Sequence, residues 1–423
     1  MTLPFSATTR VLLALAAAAV FGLLLAWLAP EAGQRAAAIA QPIGKLWLNA
    51  LQMTVVPLVA ALVVLGVSTA SDAAASGRIA RRAIAIFLVV LTFAAGFAAV
   101  AAPAFLSFMP HSPALTEALQ GAAGASTEVL PPKIGDWLTG IIPSNAIAAA
   151  AASAMLPLVV FALFFGFALT RIEAHRRERL LELVHAVADV MIVIVRWVLA
   201  VAPIGVFALV LAVTAQAGAA TLSALGIYIA MLCVLYLVAT ALMYPLVRLW
   251  TGRPLGEFAR AIFPPQAVAM STQSSLASLP AMIEAASRKL RIPLPTVSLV
   301  LPMAVSLFRL TSPIQYIGVA AFVAWAYGIQ IGPLQWATAA LLAVVVSLGS
   351  VGLPGQVSFM ATNMPVTQAL GLPVDPLGLL LAVDTIPDVF ATLGNVTADV
   401  SATAMVEGRP HPGPGLETAA DDG

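Results

Sequence analysis

The last long apolar segment of the chain carries carboxylate, hydroxyl and amide side chains at a spacing that could bind a polar solute or a cation. Thr392, Asn395 and Asp399 follow Asp388 by four, seven and eleven residues, so these side chains share one face of a helix. Asp384 lies one turn earlier on that face. Each aspartate at the centre of a membrane helix costs about 2.5–3.5 kcal/mol to insert. The stripe therefore faces a cavity, a cation or a counter-charge, or it forms a buried polar seam between helices.

Arg309 could supply that counter-charge from within apolar sequence. It lies in SLFRLTSP at 306–313, and an arginine left unpaired in a low-dielectric interior is strongly unfavourable. We expect the guanidinium to pair with Asp399 or Asp388. The alternative is that its long side chain extends to the membrane interface and keeps the charge in water.

Short polar interruptions break the apolar sequence that precedes the acidic helix. They are STQSSLASLP at 271–280, SLFRLTSP at 306–313 and SLGSVGLPG at 347–355. Irregular backbone at membrane depth is tolerated only where it is buried in protein or lines a watery cavity. Each interruption alone is more typical of a proline-kinked helix. Together, and followed by an acidic helix, they favour a binding site between broken helices.

Composition places these elements in a membrane. Of 423 residues, 61% are hydrophobic and only 9% are charged, which is too little polar surface for a soluble domain. We therefore predict an all-α polytopic membrane protein with six plain spans in residues 1–250. Apolar stretches long enough to cross a bilayer lie near 11–29, 46–68, 83–109, 144–170, 187–213 and 222–248. The tail 407–423 is polar and rich in Pro and Gly, and we expect it to be disordered.

Charge and cysteine usage exclude several classes. A net charge of +1 gives no electrostatic basis for binding nucleic acid, and the single cysteine excludes a disulfide framework. The four histidines lie outside the broken segments, so no Ser–His pair is available there and we do not expect an enzyme. Most Lys and Arg residues fall inside if the N-terminus and C-terminus are cytoplasmic, with only Arg35, Lys45 and Lys133 outside. This predicts a multi-pass protein of a bacterial inner membrane.

Several motifs resemble one transporter family. They are MTVVPLVAALVVLGVS (53–68), APIGVFALV (202–210), QSSLASLP (273–280), GLPG (352–355) and DTIPDVFATLGNVTADVSATAMV (384–406). Together they are similar to the dicarboxylate/amino acid:cation symporter family, which includes bacterial glutamate and C4-dicarboxylate carriers. The last motif is the most specific, because it combines Asp-x3-Asp with Asn-Val-Thr-x-Asp.

The resemblance implies an architecture of eight transmembrane helices and two re-entrant helical hairpins, related by inverted repeats. Helices 1, 2, 4 and 5, all within 1–250, would form the scaffold of a homotrimer. Helices 3 and 6 would move with a transport core at 251–406 as an elevator. That core would contain hairpin 1 at 257–288, helix 7 at 293–329, hairpin 2 at 334–372 and helix 8 at 375–406.

The resemblance also implies roles for individual residues. Ser274 and Ser275 would contact a substrate carboxylate, Asp388 its amino group, and Asp399 a coupling cation. The remaining implied positions are Thr392 and Asn395 for the substrate, Asn395 also for a cation, and Gly352, Pro354 and Gly355 for an extracellular gate. Backbone N–H groups at such a tip suit an anionic carboxylate.

Departures from the family pattern concern both substrate and ion. Acidic-substrate members have an arginine on helix 8 or at the tip of hairpin 1, where this chain has Ala391 and Gln273. The family's sodium-binding Asn-Met-Asp-Gly-Thr motif reads Phe308-Arg309-Leu310-Thr311-Ser312 here. No confident sodium site remains, because Phe308 and Leu310 offer no oxygen ligand.

We therefore hypothesise that the Arg309 guanidinium occupies the place of a bound cation, and that coupling passes to a proton carried by Asp388 or Asp384. Uncoupled exchange is the alternative. A second hypothesis is that Arg309 holds a substrate carboxylate directly. The expected function is symport of a small carboxylate-bearing solute, an amino acid or a dicarboxylate, without a cofactor. A transport-deficient or sensor-like protein and an anion-leak channel stay open as alternatives.

Overall fold

Residues 7–75, 77–110, 139–349 and 355–409 are described in the computed structural model of the chain, and this part contains α-helices and no β-strand. The predicted all-helical class is confirmed. The first half forms α1 (Ala7–Leu28), α2 (Pro30–Gln52), α3 (Val55–Ala75), α4 (Arg78–Ser107), α5 (Ala146–Ala151), α6 (Met155–Leu169), α7 (Ala174–Ala200), α8 (Ala202–Ala217) and α9 (Ala219–Thr251).

The second half consists of shorter helices that meet at breaks. They are α10 (Leu255–Thr272), α11 (Ser275–Glu284) with a π-helical turn at Ala285–Lys289, α12 (Leu294–Leu307), α13 (Thr311–Tyr327), α14 (Pro333–Gly349), α15 (Gly355–Ala369), α16 (Pro376–Val383) and α17 (Thr385–Glu407). The predicted gate residues Gly352 and Pro354 and the tail from 410 lie outside the described residues.

Seven helical stretches of the described residues are long and apolar enough to cross a membrane. They differ in how much of their surface the protein itself covers. In the spanning part of α17, 83% of the residues are buried, whereas only 17% are buried in α7. The polar stripe of the sequence therefore lies on an interior helix, while α7 presents most of its surface outwards.

Breaks lie within three of the stretches that we expected to be plain spans in the first half. Turns separate α2 from α3, α5 from α6 and α7 from α8. In each case a proline lies in the first turn of the second helix, at Pro57, Pro157 and Pro203. Proline is tolerated there because its missing N–H has no helical partner to lose, but it disrupts the turn that precedes it.

The same chemistry divides the acidic segment. We expected one helix over 375–406, but α16 ends at Val383 and α17 begins at Thr385. Pro387 in the first turn of α17 has no N–H to donate to Val383, four residues earlier. Asp384 therefore lies at the junction of two helices, one turn before Asp388, whose N–H donates to the Asp384 carbonyl (2.9 Å).

Helix α17 is held between apolar and polar neighbours. Val396, Val400 and Ala404, spaced by four residues, join a core with Phe258 of α10 and Met282 of α11. Helices α10 and α11 pack against each other as a helical hairpin and against α17, which also contacts α9 and α12. This packing orients the stripe of α17 towards the break between α12 and α13.

Candidate functional site

A non-helical break between α12 and α13 holds the half-buried Arg309. Phe308 has an extended backbone (φ −119°, ψ 93°) that ends α12, and α13 starts again at Thr311. The Phe308 ring is fully buried and stacks on Phe87 of α4, with ring centroids 4.7 Å apart and planes 10° from parallel. Leu310 is buried on the other side of the arginine. Apolar packing therefore fixes both residues that flank Arg309.

Thr311 binds the amide of Asn395. The Asn395 Oδ1 atom accepts the backbone N–H of Thr311 (3.0 Å) and the Thr311 hydroxyl (2.9 Å). The single hydroxyl hydrogen of Thr311 also has the Ala391 carbonyl within reach (3.2 Å), whereas the backbone N–H has Asn395 Oδ1 as its acceptor. The oxygen that the family resemblance assigned to substrate or cation is thus committed to the neighbouring helix.

A glycine on α17 permits this close contact. A Cβ atom at Gly394 would lie 2.7 Å from Thr311 Cγ2 and 2.9 Å from Thr240 Oγ1 of α9. Any larger side chain would push α17 away from α9 and α13, so Gly394 and Thr311 fit each other by size.

Asp399 is a buried carboxylate without a hydrogen-bond partner among the described residues. It is 0% exposed, and neither of its oxygens accepts a hydrogen bond from the described residues. The charge of Arg309 acts electrostatically on both Asp399 and the half-buried Asp388. The structure thus brings the arginine near both acids that the sequence offered as its partners.

Asp384 has partners that sequence analysis missed. Its carboxylate accepts hydrogen bonds from Gln315 Nε2 of α13 (2.9 and 3.0 Å) and from the Tyr228 hydroxyl of α9 (3.3 Å). Gln315 lies one turn after Thr311, so a polar residue at helical spacing from the break was the available signal. Tyr228 gave no such signal, because an aromatic residue in an apolar helix is ordinary.

Tyr236 of α9 is a further residue that sequence analysis missed. Its side chain is fully buried, and its hydroxyl has no hydrogen-bond partner among the described residues. It is close enough to Asp384 and Asp388 to interact electrostatically with both. A buried hydroxyl without a partner is rare, and here it faces the acidic end of the stripe.

The tip of the α10–α11 hairpin carries the predicted serines. Gln273 ends α10 in the left-handed conformation (φ 51°), and Ser274 caps α11 by accepting the N–H of Ala277 (3.2 Å). Ser275 is the first residue of α11, and both serines are half-buried. Gln273 Nε2 donates to the Thr385 carbonyl (3.5 Å), which connects this tip to the start of α17.

The remaining predicted residues divide by position. Thr392 is buried one turn after Asp388 and donates its hydroxyl to the Asp388 carbonyl (2.9 Å). Gly355 is the first residue of α15, next to the part of the gate outside the described residues. Within the described ranges, no group of three or more His, Cys, Asp or Glu residues is arranged to hold a metal ion.

Comparisons with known proteins identify the family of this chain. The chain is 28% identical to the proton/glutamate-aspartate symporter of Escherichia coli K12, over 86% of this chain and 84% of that protein. It is 26% identical to the proton/sodium-glutamate symport protein of Bacillus subtilis, over 86% and 85%. It is 28% identical to a C4-dicarboxylate transport protein of Anaeromyxobacter, over 92% and 87%. Residues 7–409 match one family of transporters, not enzymes, and the chain belongs to that family, the sodium:dicarboxylate symporter family.

Proposed function

We propose that this chain is a secondary active transporter of a small carboxylate-bearing solute, an amino acid or a dicarboxylate, and that its coupling does not use the family's sodium sites. The relatives named as glutamate, aspartate and C4-dicarboxylate transporters support the substrate class. The Escherichia coli relative is by name a proton symporter, which supports transport without sodium in this family.

The observation that carries the proposal is the loss of oxygen ligands around Arg309. Phe308 and Leu310 are buried hydrocarbon where the family resemblance implies Asn and Asp. Asn395 Oδ1 already accepts two hydrogen bonds from Thr311. Sodium is a hard cation that needs several oxygen ligands. Around Arg309 the chain offers the apolar side chains of Phe308 and Leu310, and an Asn395 oxygen that already accepts hydrogen bonds.

Arg309 replaces the charge that a cation would bring. A carboxylate buried without hydrogen bonds is strongly unfavourable unless a positive charge lies near it, and arginine stays protonated at all physiological pH values. Arg309 acts on Asp399 and Asp388 together, and one guanidinium balances the charge of one ionised carboxylate of this pair. A substrate or a proton that binds at the half-buried Asp388 would then change the net charge next to Arg309, which gives a route to proton coupling. Asp384 is the second candidate proton carrier.

The proposed architecture is that of the family. Eight spans and two re-entrant hairpins would form a homotrimer with cytoplasmic termini in a bacterial inner membrane, and α10–α17 would move with α4 and α9 as an elevator. The hairpin of α10 and α11, the break between α12 and α13, and the buried α17 support this view. Ser274 and Ser275 would meet the substrate at the hairpin tip, with Asp388 and Thr392 opposite.

A second role for Arg309 is favoured by its half-buried position. Because Ala391 and Gln273 carry no positive charge, Arg309 is the available cation to hold a substrate carboxylate directly. The two roles make different demands on a variant in which both charges are removed. Arg309→Met with Asp399→Asn removes one positive and one negative charge together and so leaves the net charge of the interior unchanged. A surrogate cation then predicts preserved substrate affinity, whereas a direct clamp predicts its loss.

Counterflow in proteoliposomes tests the function. Vesicles loaded with unlabelled L-glutamate, L-aspartate or succinate, with sodium replaced by choline, should accumulate the labelled solute saturably and faster under an inward proton gradient. A steep requirement for sodium would refute the coupling proposal. Conductance that does not saturate would favour an anion leak, and no movement of any acid would favour a transport-deficient protein.

A further inference from the structure

A concave groove on the outer surface of α4 and α9 reaches the back of the helix break that holds Arg309. Its volume is about 680 Å³, within the range of small-molecule pockets, and Val89, Phe93, Leu242 and Trp250 are among its walls. Leu310, beside Arg309 in the helix break, forms part of its floor. Val89 is 54% exposed and Phe93 is 76% exposed, so the groove is open on the side where the helices face away from the protein.

Charge is present at one end only. Arg82 is the charged residue of the described lining, and its guanidinium lies against Gly408 at the end of α17. Arg78 and Arg81 lie in the same first turn of α4. Trp250 at this end donates its indole N–H to the Met405 carbonyl (3.1 Å), so its ring is fixed at the level of the arginine. Tryptophan near the end of a spanning helix, as Trp250 is in α9, is typical of a membrane interface.

We propose that this groove binds an anionic phospholipid, with the phosphate at Arg82 and an acyl chain along Val89, Phe93 and Leu242. Basic residues at the end of a hydrophobic cleft between membrane helices are the arrangement that recognises acidic headgroups. The apolar walls match an acyl chain, and a guanidinium forms paired hydrogen bonds with a phosphate group. The bound chain contacts Leu310, so it supports the helix break from the side opposite the substrate.

Native mass spectrometry of the purified full chain tests this site without reference to transport. The protein is exchanged into detergent with phosphatidylglycerol or with phosphatidylcholine, and the lipids retained per subunit are counted. We expect the unaltered chain to retain one more phosphatidylglycerol than phosphatidylcholine. Arg82→Gln should remove this excess because it removes the headgroup contact. Arg81→Gln, a neighbouring arginine outside the groove lining, should retain it.

A second pair of variants tests the acyl-chain position. Val89→Trp places a large ring in the groove from an exposed position and should also abolish the excess. Leu88→Trp, the adjacent residue outside the lining and 38% exposed, should leave it unchanged. Equal retention by the unaltered chain and all four variants would overturn the proposal, as would equal retention of the two lipids. Dissociation of an oligomer by Val89→Trp without lipid loss would also overturn it, because the groove would then seat a second copy of the chain.

Discussion

Asp384 and Asp399 are both buried at the two ends of the same polar stripe, but the protein accommodates them in different ways. Asp384 is 1% exposed and accepts hydrogen bonds from Gln315 and Tyr228, both neutral donors on neighbouring helices. Asp399 is 0% exposed, accepts no hydrogen bond from the described residues, and has the charge of Arg309 nearby. Neutral dipoles hold the first in place, whereas the second depends on a single positive charge.

This difference indicates where the chain departs from its family. A buried carboxylate that accepts hydrogen bonds from neutral groups does not need a bound cation. A buried carboxylate without hydrogen bonds needs a positive charge nearby in every conformation of the transporter. At Asp399 the chain supplies that cation covalently, as the side chain of Arg309. The flanking Phe308 and Leu310 then fill with hydrocarbon the space that ligands would need.

The largest effect is expected from removing the charge at the Asp399 end. Arg309→Met removes the positive charge that acts on the buried Asp399 carboxylate, which accepts no hydrogen bond from the described residues. Breaking a buried ion pair costs about 3–5 kcal/mol, and we expect a loss up to this size in the free energy of unfolding measured in detergent. Adding Asp399→Asn should restore most of the loss, since one positive and one negative charge are then removed together.

A matched control separates charge balance from loss of a long side chain. Arg196 also lies in apolar sequence but is exposed on α7, so Arg196→Met should change stability little. If Arg309→Met were no more destabilising than Arg196→Met, the contrast between the two aspartates would fail.

At the Asp384 end the effect should be smaller. Gln315→Leu removes the hydrogen bonds of one amide to a carboxylate, and hydrogen bonds to charged groups contribute about 1.5–3 kcal/mol. Gln266→Leu is the control, because its amide donates to the neutral hydroxyls of Tyr244 and Thr397, both at 2.9 Å. Neutral bonds contribute about 0.5–1.5 kcal/mol, so the first variant should be the less stable in the same unfolding assay. The reverse order would show that Asp384 does not rely on Gln315.

The contact of Thr311 with Asn395, which lies between Asp384 and Asp399 on the stripe, is tested by Thr311→Val. The variant keeps the backbone N–H bond to Asn395 but loses the hydroxyl bond, with an expected loss of about 0.5–1.5 kcal/mol. Thr338→Val removes a buried hydroxyl that bonds only to a carbonyl of its own helix, Leu334 (2.9 Å), and should be closer to neutral. Equal effects would indicate that Thr311 has no special role at Asn395.

The smallest effect is expected at an exposed ion pair. Arg177 of α7 pairs with Asp72 of α3, whose side chain is 59% exposed. Exposed pairs contribute about 0–1 kcal/mol and weaken with salt. Asp72→Asn should therefore change the unfolding free energy by less than Arg309→Met, Gln315→Leu or Thr311→Val, and the change should shrink at high salt. A larger loss than that of Gln315→Leu would show that burial does not decide the ranking.

Periodicity was enough to predict the stripe of α17, since its residues depend only on spacing within one helix. The breaks at 273–274 and 308–310 were also readable, because Ser, Pro and a lone arginine interrupt apolar sequence there. The turns before Pro57, Pro157 and Pro203 were missed, although a proline marks each one.

The hydrogen-bond partners of Asp384 were beyond sequence reasoning. Tyr228 is 156 residues away and Gln315 is 69 residues away, and only helix packing brings them together. The commitment of Asn395 to Thr311 has the same cause, because it requires Gly394 to let two helices approach. Periodicity describes one helix at a time, whereas these contacts involve three.

Sodium binding to the purified protein tests the replacement of the cation by Arg309 most directly. The thermal unfolding midpoint is measured while sodium replaces choline at constant ionic strength, with the Bacillus subtilis proton/sodium-glutamate symport protein as a parallel sample. An ion that binds only the folded state raises this midpoint progressively as its concentration exceeds its dissociation constant. We predict no sodium-specific rise for this chain, whereas a concentration-dependent rise abolished by Asp399→Asn would contradict the account.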